Sequence, residues 1–172
     1  MLKSYDLSEK PWWGYIERDL QELLRQAIVL VETVEEWQTE GRSKFHDYSF
    51  VVFPAAKGYE GFLKKLFLDL QFIKEEDYFG KRFRIGKSLN PSLDRRRRAK
   101  YGVYDRVVEY CRGNELADDM WETWTKCRNQ LFHWFPNEKK AINFTQAKDK
   151  VQMVFDTIEK SFQACKIDID GK

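Results

Sequence analysis

Arg128 and His133, with Asn129 directly after the arginine, are the residues whose types and spacing could do chemistry on a phosphate. A guanidinium stays charged at physiological pH and offers a planar fork of donors to phosphate oxygens. Histidine is the side chain whose ordinary titration falls near neutrality, and the chain holds only two of them. Together the two types can cut RNA without a metal. The imidazole takes the proton of a 2′-hydroxyl as that oxygen attacks the adjacent phosphorus, and the guanidinium offsets the charge growing on the phosphate. The products would be a cyclic phosphate and a 5′-hydroxyl. One histidine does not easily act as both base and acid in one turnover, and a symmetric homodimer would bring two copies of the motif into one cleft. The competing reading is plainer: an exposed surface histidine, and a boundary arginine paired to a carboxylate.

The elements that must position these residues read as helices. Leu116, Met120, Trp124, Cys127 and Leu131 form an apolar stripe at helical spacing, with Asn114 as a candidate N-cap and Pro136 as the stop. On an unbroken helix Asn129 and His133 share a face opposite that stripe, and Arg128 sits at its edge. An earlier helix carries Ile16, Leu20, Leu23, Leu24, Ala27, Ile28, Val31 and Val34, with Pro11 in its first turn and Gly41 as its stop. A second carries Tyr59, Phe62, Leu63, Leu66, Phe67 and Leu70. Its start is ambiguous, because Tyr48 to Phe53 has strand-like composition and Pro54 can mark a kink or a first turn. Residues 74–92 read as a loop, followed by a weaker helix to Cys111 that Gly113-Asn114 breaks. Thr145 opens a last helix with Ala147, Val151, Phe155, Ile158 and Phe162, and Lys166 to Lys172 is expected to fray. About five helices with short links predict an all-α bundle, one domain over 1–172.

The arginine, polar residue and histidine pattern resembles the signature of the HEPN (higher eukaryotes and prokaryotes nucleotide-binding) superfamily, in which four to six residues separate arginine from histidine; here the gap is four. The pattern also falls on the penultimate long helix, as it does there. The resemblance implies an all-helical fold, metal-independent RNA cleavage with no cofactor, and a dimer whose two motifs line one cleft. A narrower likeness concerns the run from Lys57 to Leu66, which is similar to an early helix of the HEPN domain in RNase LS-type toxins. That helix has a basic residue and, three positions later, a glutamate near the catalytic pair. Lys57 and Glu60 match in spacing, with lysine where arginine is expected, which keeps the charge and loses the fork. Those toxins are larger, with further N-terminal domains. From the residues alone, Glu60 could equally pair with Lys64 on a solvated face or stand beside Arg128 or His133. A branch paired with nucleotidyltransferase antitoxins has tyrosine two positions after the histidine; this chain has Phe135 there, so inhibition by nucleotidylation at that position is not implied.

A net charge of +2 does not imply general polyelectrolyte attraction to nucleic acid, so any RNA surface must be local. Lys81, Arg82, Arg84, Lys87, Arg95, Arg96, Arg97, Arg98 and Lys100 make one such cluster, interleaved with Phe83 and Tyr101. They could hold a single-stranded backbone, an acidic antitoxin or another protein inhibitor, or salt bridges to the acidic first helix. Four consecutive arginines cannot share one helical face. Cys111, Cys127 and Cys165 have neither zinc-ligand spacing nor a disulfide framework, and read as reduced thiols of a cytoplasmic protein. No apolar leader and no apolar run long enough to span a bilayer is apparent. The expectation is an endoribonuclease toxin or phage-defence effector, with Arg128, His133, Asn129, Glu60 and Lys57 at its centre. A non-catalytic RNA- or protein-binding module and a purely structural helical dimer are the alternatives.

Overall fold

Two long helices form the centre of the molecule. α1 (Arg18–Thr39) buries Leu24, Ala27, Ile28, Val31 and Val34 along one stripe. α2 (Ser49–Asp69) is buried on most sides and packs against α1 and the last helix. Two glycines set how closely α1 and α2 approach. A Cβ on Gly58 would stand 2.6 Å from Leu24 Cδ2, and one on Gly61 would stand 2.4 Å from Leu20 Cδ2. The residue numbers rise on one helix as they fall on the other, so the pair is antiparallel.

A computed structural model describes residues 6–42, 44–134, 136 and 140–165, and among these the chain is all-helical with no strand. After two 3₁₀ turns (Leu7–Glu9 and Trp13–Tyr15) and the α1/α2 pair come α3 (Glu75–Phe79), α4 (Ile85–Ser88), α5 (Arg95–Tyr101), α6 (Tyr104–Cys111), α7 (Glu115–Trp124) and α8 (Phe144–Ala164). α7 runs antiparallel to α8. Lys160 joins Glu115 and Asp119 near one end, buried Thr123 and Thr157 hydroxyls meet at 2.7 Å in the middle, and Cys127 Sγ donates to the Lys150 carbonyl at 3.5 Å beyond it. The buried apolar residues of α1, α2, α4, α6, α7 and α8 join in one core cluster, into which the first turns insert Trp12 and Trp13.

Several boundaries depart from the periodicity reading. Pro11 lies outside α1, which starts at Arg18, because the segment before it is held in 3₁₀ turns by tertiary contacts. Lys10 pairs with Glu159 at 2.8 Å, and Tyr15 donates to Asp69 at 2.6 Å. Gly41, at φ +70°, does follow the end of α1. The strand-like residues before Pro54 are helical, with Pro54 inside α2; burial of Val51 and Val52 overrides their β preference. The supposed loop 74–92 contains two short helices, and the supposed third helix divides into α5 and α6 at Gly102 and Val103. Asn114 holds the N-cap position of α7 but makes no capping bond; its side chain donates to Asp118 instead at 2.7 Å. α8 opens at Phe144 rather than Thr145, because Asn143 and Gln146 form a reciprocal capping box. Lys166 to Lys172 and Phe135 lie outside the described residues.

Candidate active site

The site is built where α2 faces the chain that leaves α7. Phe53, Ala56, Lys57 and Glu60 follow i, i+3, i+4, i+7 spacing and line one face of α2. Across from them stand Arg128, Phe132 and His133, and these seven residues bound a cavity of about 270 Å³. Its apolar wall is the edge-to-face pair Phe53 and Phe132, with ring centroids 5.4 Å apart and planes at 86°. An apolar wall lowers the local dielectric, which strengthens any contact between Arg128 and an anion in the cavity.

Arg128 is held on two sides. Its Nε stands 3.9 Å from Glu60 Oε2, and its guanidinium carbon lies 5.1 Å from the centroid of the buried Trp124 ring, within the range of a cation–π contact. The pair with Glu60 is long and about a third exposed on each partner, so it contributes well under ~1 kcal/mol to stability. Its effect is to aim the guanidinium. Trp124 is itself seated by α4, since a Cβ on Gly86 would come within 2.6 Å of Trp124 Nε1.

The helix does not continue through the motif as its apolar stripe predicts. α7 gives way at Thr125 to a π turn, Thr125–Asn129, in which the Gln130 N–H donates to the Thr125 carbonyl five residues back at 3.0 Å. Residues 130–132 turn further, and His133 lies in irregular chain. Two expectations are corrected by this. His133 is beyond the helix rather than in its last turn, and Asn129 does not share a face with it: Asn129 is exposed and does not line the cavity. Lys57, Glu60, Arg128 and His133 do come together, from segments far apart in the chain.

His133 also borders a second cleft of about 410 Å³ lined by His46, Asp47, Ser49, Leu131, Phe132, Trp134, Lys140 and Ala141. His46 is the residue that spacing along the chain missed. It lies too far from the motif for any local pattern to connect them, and the one available signal was that it is the other histidine. Cys127, next to Arg128, is buried, and burial pushes its thiol up to about 12. No group of three or more metal-ligating side chains occurs among the described residues.

The basic stretch is elsewhere. None of Arg82, Arg84, Arg96, Arg97 or Arg98 lines the cavity, and the side chain of Arg95 is outside the described residues. Arg84 donates to the carbonyls of Lys81 and Phe83. Arg97 pairs with Asp94 at 3.3 Å, and Arg98 with Asp105 at 3.5 Å. These partners are local and are not the acidic face of α1.

No protein-family model, no curated protein and no solved structure matches this chain. No helix among the described residues is long and apolar enough to cross a membrane.

Proposed function

We propose that this protein is a metal-independent endoribonuclease of HEPN type that cuts by attack of a 2′-hydroxyl on the adjacent phosphate. The observation that carries this reading is the convergence of Lys57 and Glu60 from α2 with Arg128 and His133 from the turn after α7 around one cavity. Arg128 binds the scissile phosphate and stabilises the charge that grows on it. Held between Glu60 and Trp124, it keeps its orientation before substrate arrives. His133 moves a proton to or from the reacting oxygens. Lys57, exposed at the rim, adds positive charge beside the phosphate, while Phe53 and Phe132 exclude water from one side. Asn129 has no position from which to act in this cavity. A toxin or phage-defence role, a cytoplasmic setting, a second copy as dimer partner and a protein antitoxin are the biological form this reading takes.

One observation favours a binding module as a second reading: Trp134, directly after His133, is 83% exposed, as an aromatic that stacks on a base or meets a partner would be. The experiment that separates the two is cleavage of structured and unstructured RNA in chelator by wild type, Arg128→Ala and His133→Ala, with solution mass measured for each. Cleavage by wild type that both substitutions abolish at unchanged mass supports the nuclease. Binding of RNA without cleavage, unaffected by His133→Ala, supports the module.

A further inference from the structure

We infer that His46 is the second proton-transfer group of the same active site, so that one chain carries both halves of an acid–base pair. The inference rests on the nuclease reading above and adds to it a residue outside the Arg128 and His133 motif. Its basis is placement. The chain's two histidines are both exposed and line one cleft, and His133 is shared between that cleft and the cavity that holds Arg128. His133 thereby links the cavity that holds Arg128 to the cleft of about 410 Å³ that His46 lines.

The backbone around His46 is fixed although its ring is exposed. Phe45 before it packs its ring on Phe50 at 5.1 Å and on Tyr48 at 5.7 Å, and its N–H donates to the Tyr48 hydroxyl at 3.2 Å. Asp47 after it accepts from Ser49 N at 3.0 Å, from Ser49 Oγ at 2.8 Å and from Ile142 N at 3.1 Å. The Tyr48 N–H returns a bond to the Ile142 carbonyl at 3.0 Å. This clasp ties the His46 wall of the cleft to the wall that carries Lys140 and Ala141. An exposed imidazole on a pinned backbone is what a proton-transfer group needs, because its position is set before substrate binds while its nitrogens stay open to reacting atoms.

The chemistry balances with these residues alone. One imidazole, neutral at the start, accepts the 2′-hydroxyl proton as the 2′-oxygen forms a bond to phosphorus. The other, protonated at the start, gives its proton to the 5′-oxygen as the P–O5′ bond breaks. The charged groups that line the same two spaces are Asp47 and Lys140 in the cleft, and Arg128, Lys57 and Glu60 in the adjoining cavity.

The test uses a single-stranded oligoribonucleotide with a mapped cleavage site, made with either the natural oxygen or a sulfur at the 5′-bridging position. Sulfur leaves without a proton. His46→Ala and His133→Ala are each expected to lower kcat by about 100-fold or more on the oxygen substrate, with mass and thermal midpoint unchanged. Sulfur should restore one of the two variants, the one that has lost the acid, and leave the other slow. The inference is overturned if His46→Ala cleaves within about threefold of wild type, if its defect lies only in KM, or if sulfur restores neither variant or both. Failure of wild type to cut any RNA is a different result, which removes the nuclease reading and this inference with it.

Discussion

The cavity around Arg128 and the basic stretch of residues 81–98 both carry side chains suited to phosphate, and they are built in opposite ways. In the stretch, charge is dense in sequence and is answered locally: Arg97 by Asp94, Arg84 by carbonyls within three residues, Arg98 by Asp105 and the Pro91 carbonyl. In the cavity a single arginine is met by Glu60 from another helix and by the face of Trp124. Local pairing leaves exposed arginines free to exchange partners. Tertiary pairing fixes one in a direction. Catalysis requires the second property, while loose attraction to a strand needs only the first.

Reversing that assignment would break the comparison, and the largest effects test it most directly. Arg128→Ala should lower RNA cleavage by about 100-fold or more, mainly in kcat. The double substitution Arg96→Glu, Arg97→Glu should cost under about tenfold, mainly in KM, and flatten the salt dependence of binding. Steady-state kinetics at two salt concentrations separates them. If the double variant loses kcat and Arg128→Ala does not, the roles are exchanged.

Next come changes to the frame. Gly61→Val drives a side chain into Leu20 and should destabilise the fold by about 1–3 kcal/mol, visible as a lower urea midpoint. Because it also shifts the face that bears Lys57 and Glu60, the folded fraction should lose activity. Tyr59→Phe removes the buried hydroxyl that donates to the Met120 carbonyl at 3.1 Å and ties α2 to α7. It should cost about 1 kcal/mol. Equal unfolding midpoints for Tyr59→Phe and wild type would show that the two walls of the cavity are not tied there.

A pH effect follows from Cys127 and Cys165. Burial pushes both thiols from 9.0 up to about 12, with Cys111 beside Cys165 adding to the shift there. The fold therefore prefers their neutral forms. Their contribution to stability is complete below pH 9 and is lost as pH rises toward 12. Urea midpoints at pH 8 and pH 10.5 should differ in that direction, and by less in Cys127→Ala. The smallest effect sharpens the motif itself: Asn129→Ala should change cleavage by less than about threefold, since Asn129 is exposed and outside the cavity.

The all-helical class and the apolar stripes of the long helices were legible in the sequence, because burial repeats with the helical period and α1, α2 and α8 are long enough to display it. The start of α1 was not, since Pro11 lies between turns that are held by Glu159 and Asp69, residues far along the chain. Arg128 and His133 could be read as a pair from their types and gap, and Lys57 and Glu60 only through resemblance. Which partner Glu60 takes was undecidable from sequence, because the choice between Lys64 and Arg128 depends on how closely α1 and α2 approach and where α7 meets them. His46 was invisible because no spacing joins it to the motif.

The π turn of Thr125–Asn129 means that the motif is read by angle and not by count. On an unbroken α-helix, residues five apart point about 140° away from each other, so the same six letters would aim arginine and histidine at different neighbours. The widened turn and the irregular exit bring both to one cavity. Removing Thr125 or Lys126 would restore the ordinary period and turn everything after it by about 100°. The letters of the motif would survive that deletion while its two side chains fell out of phase.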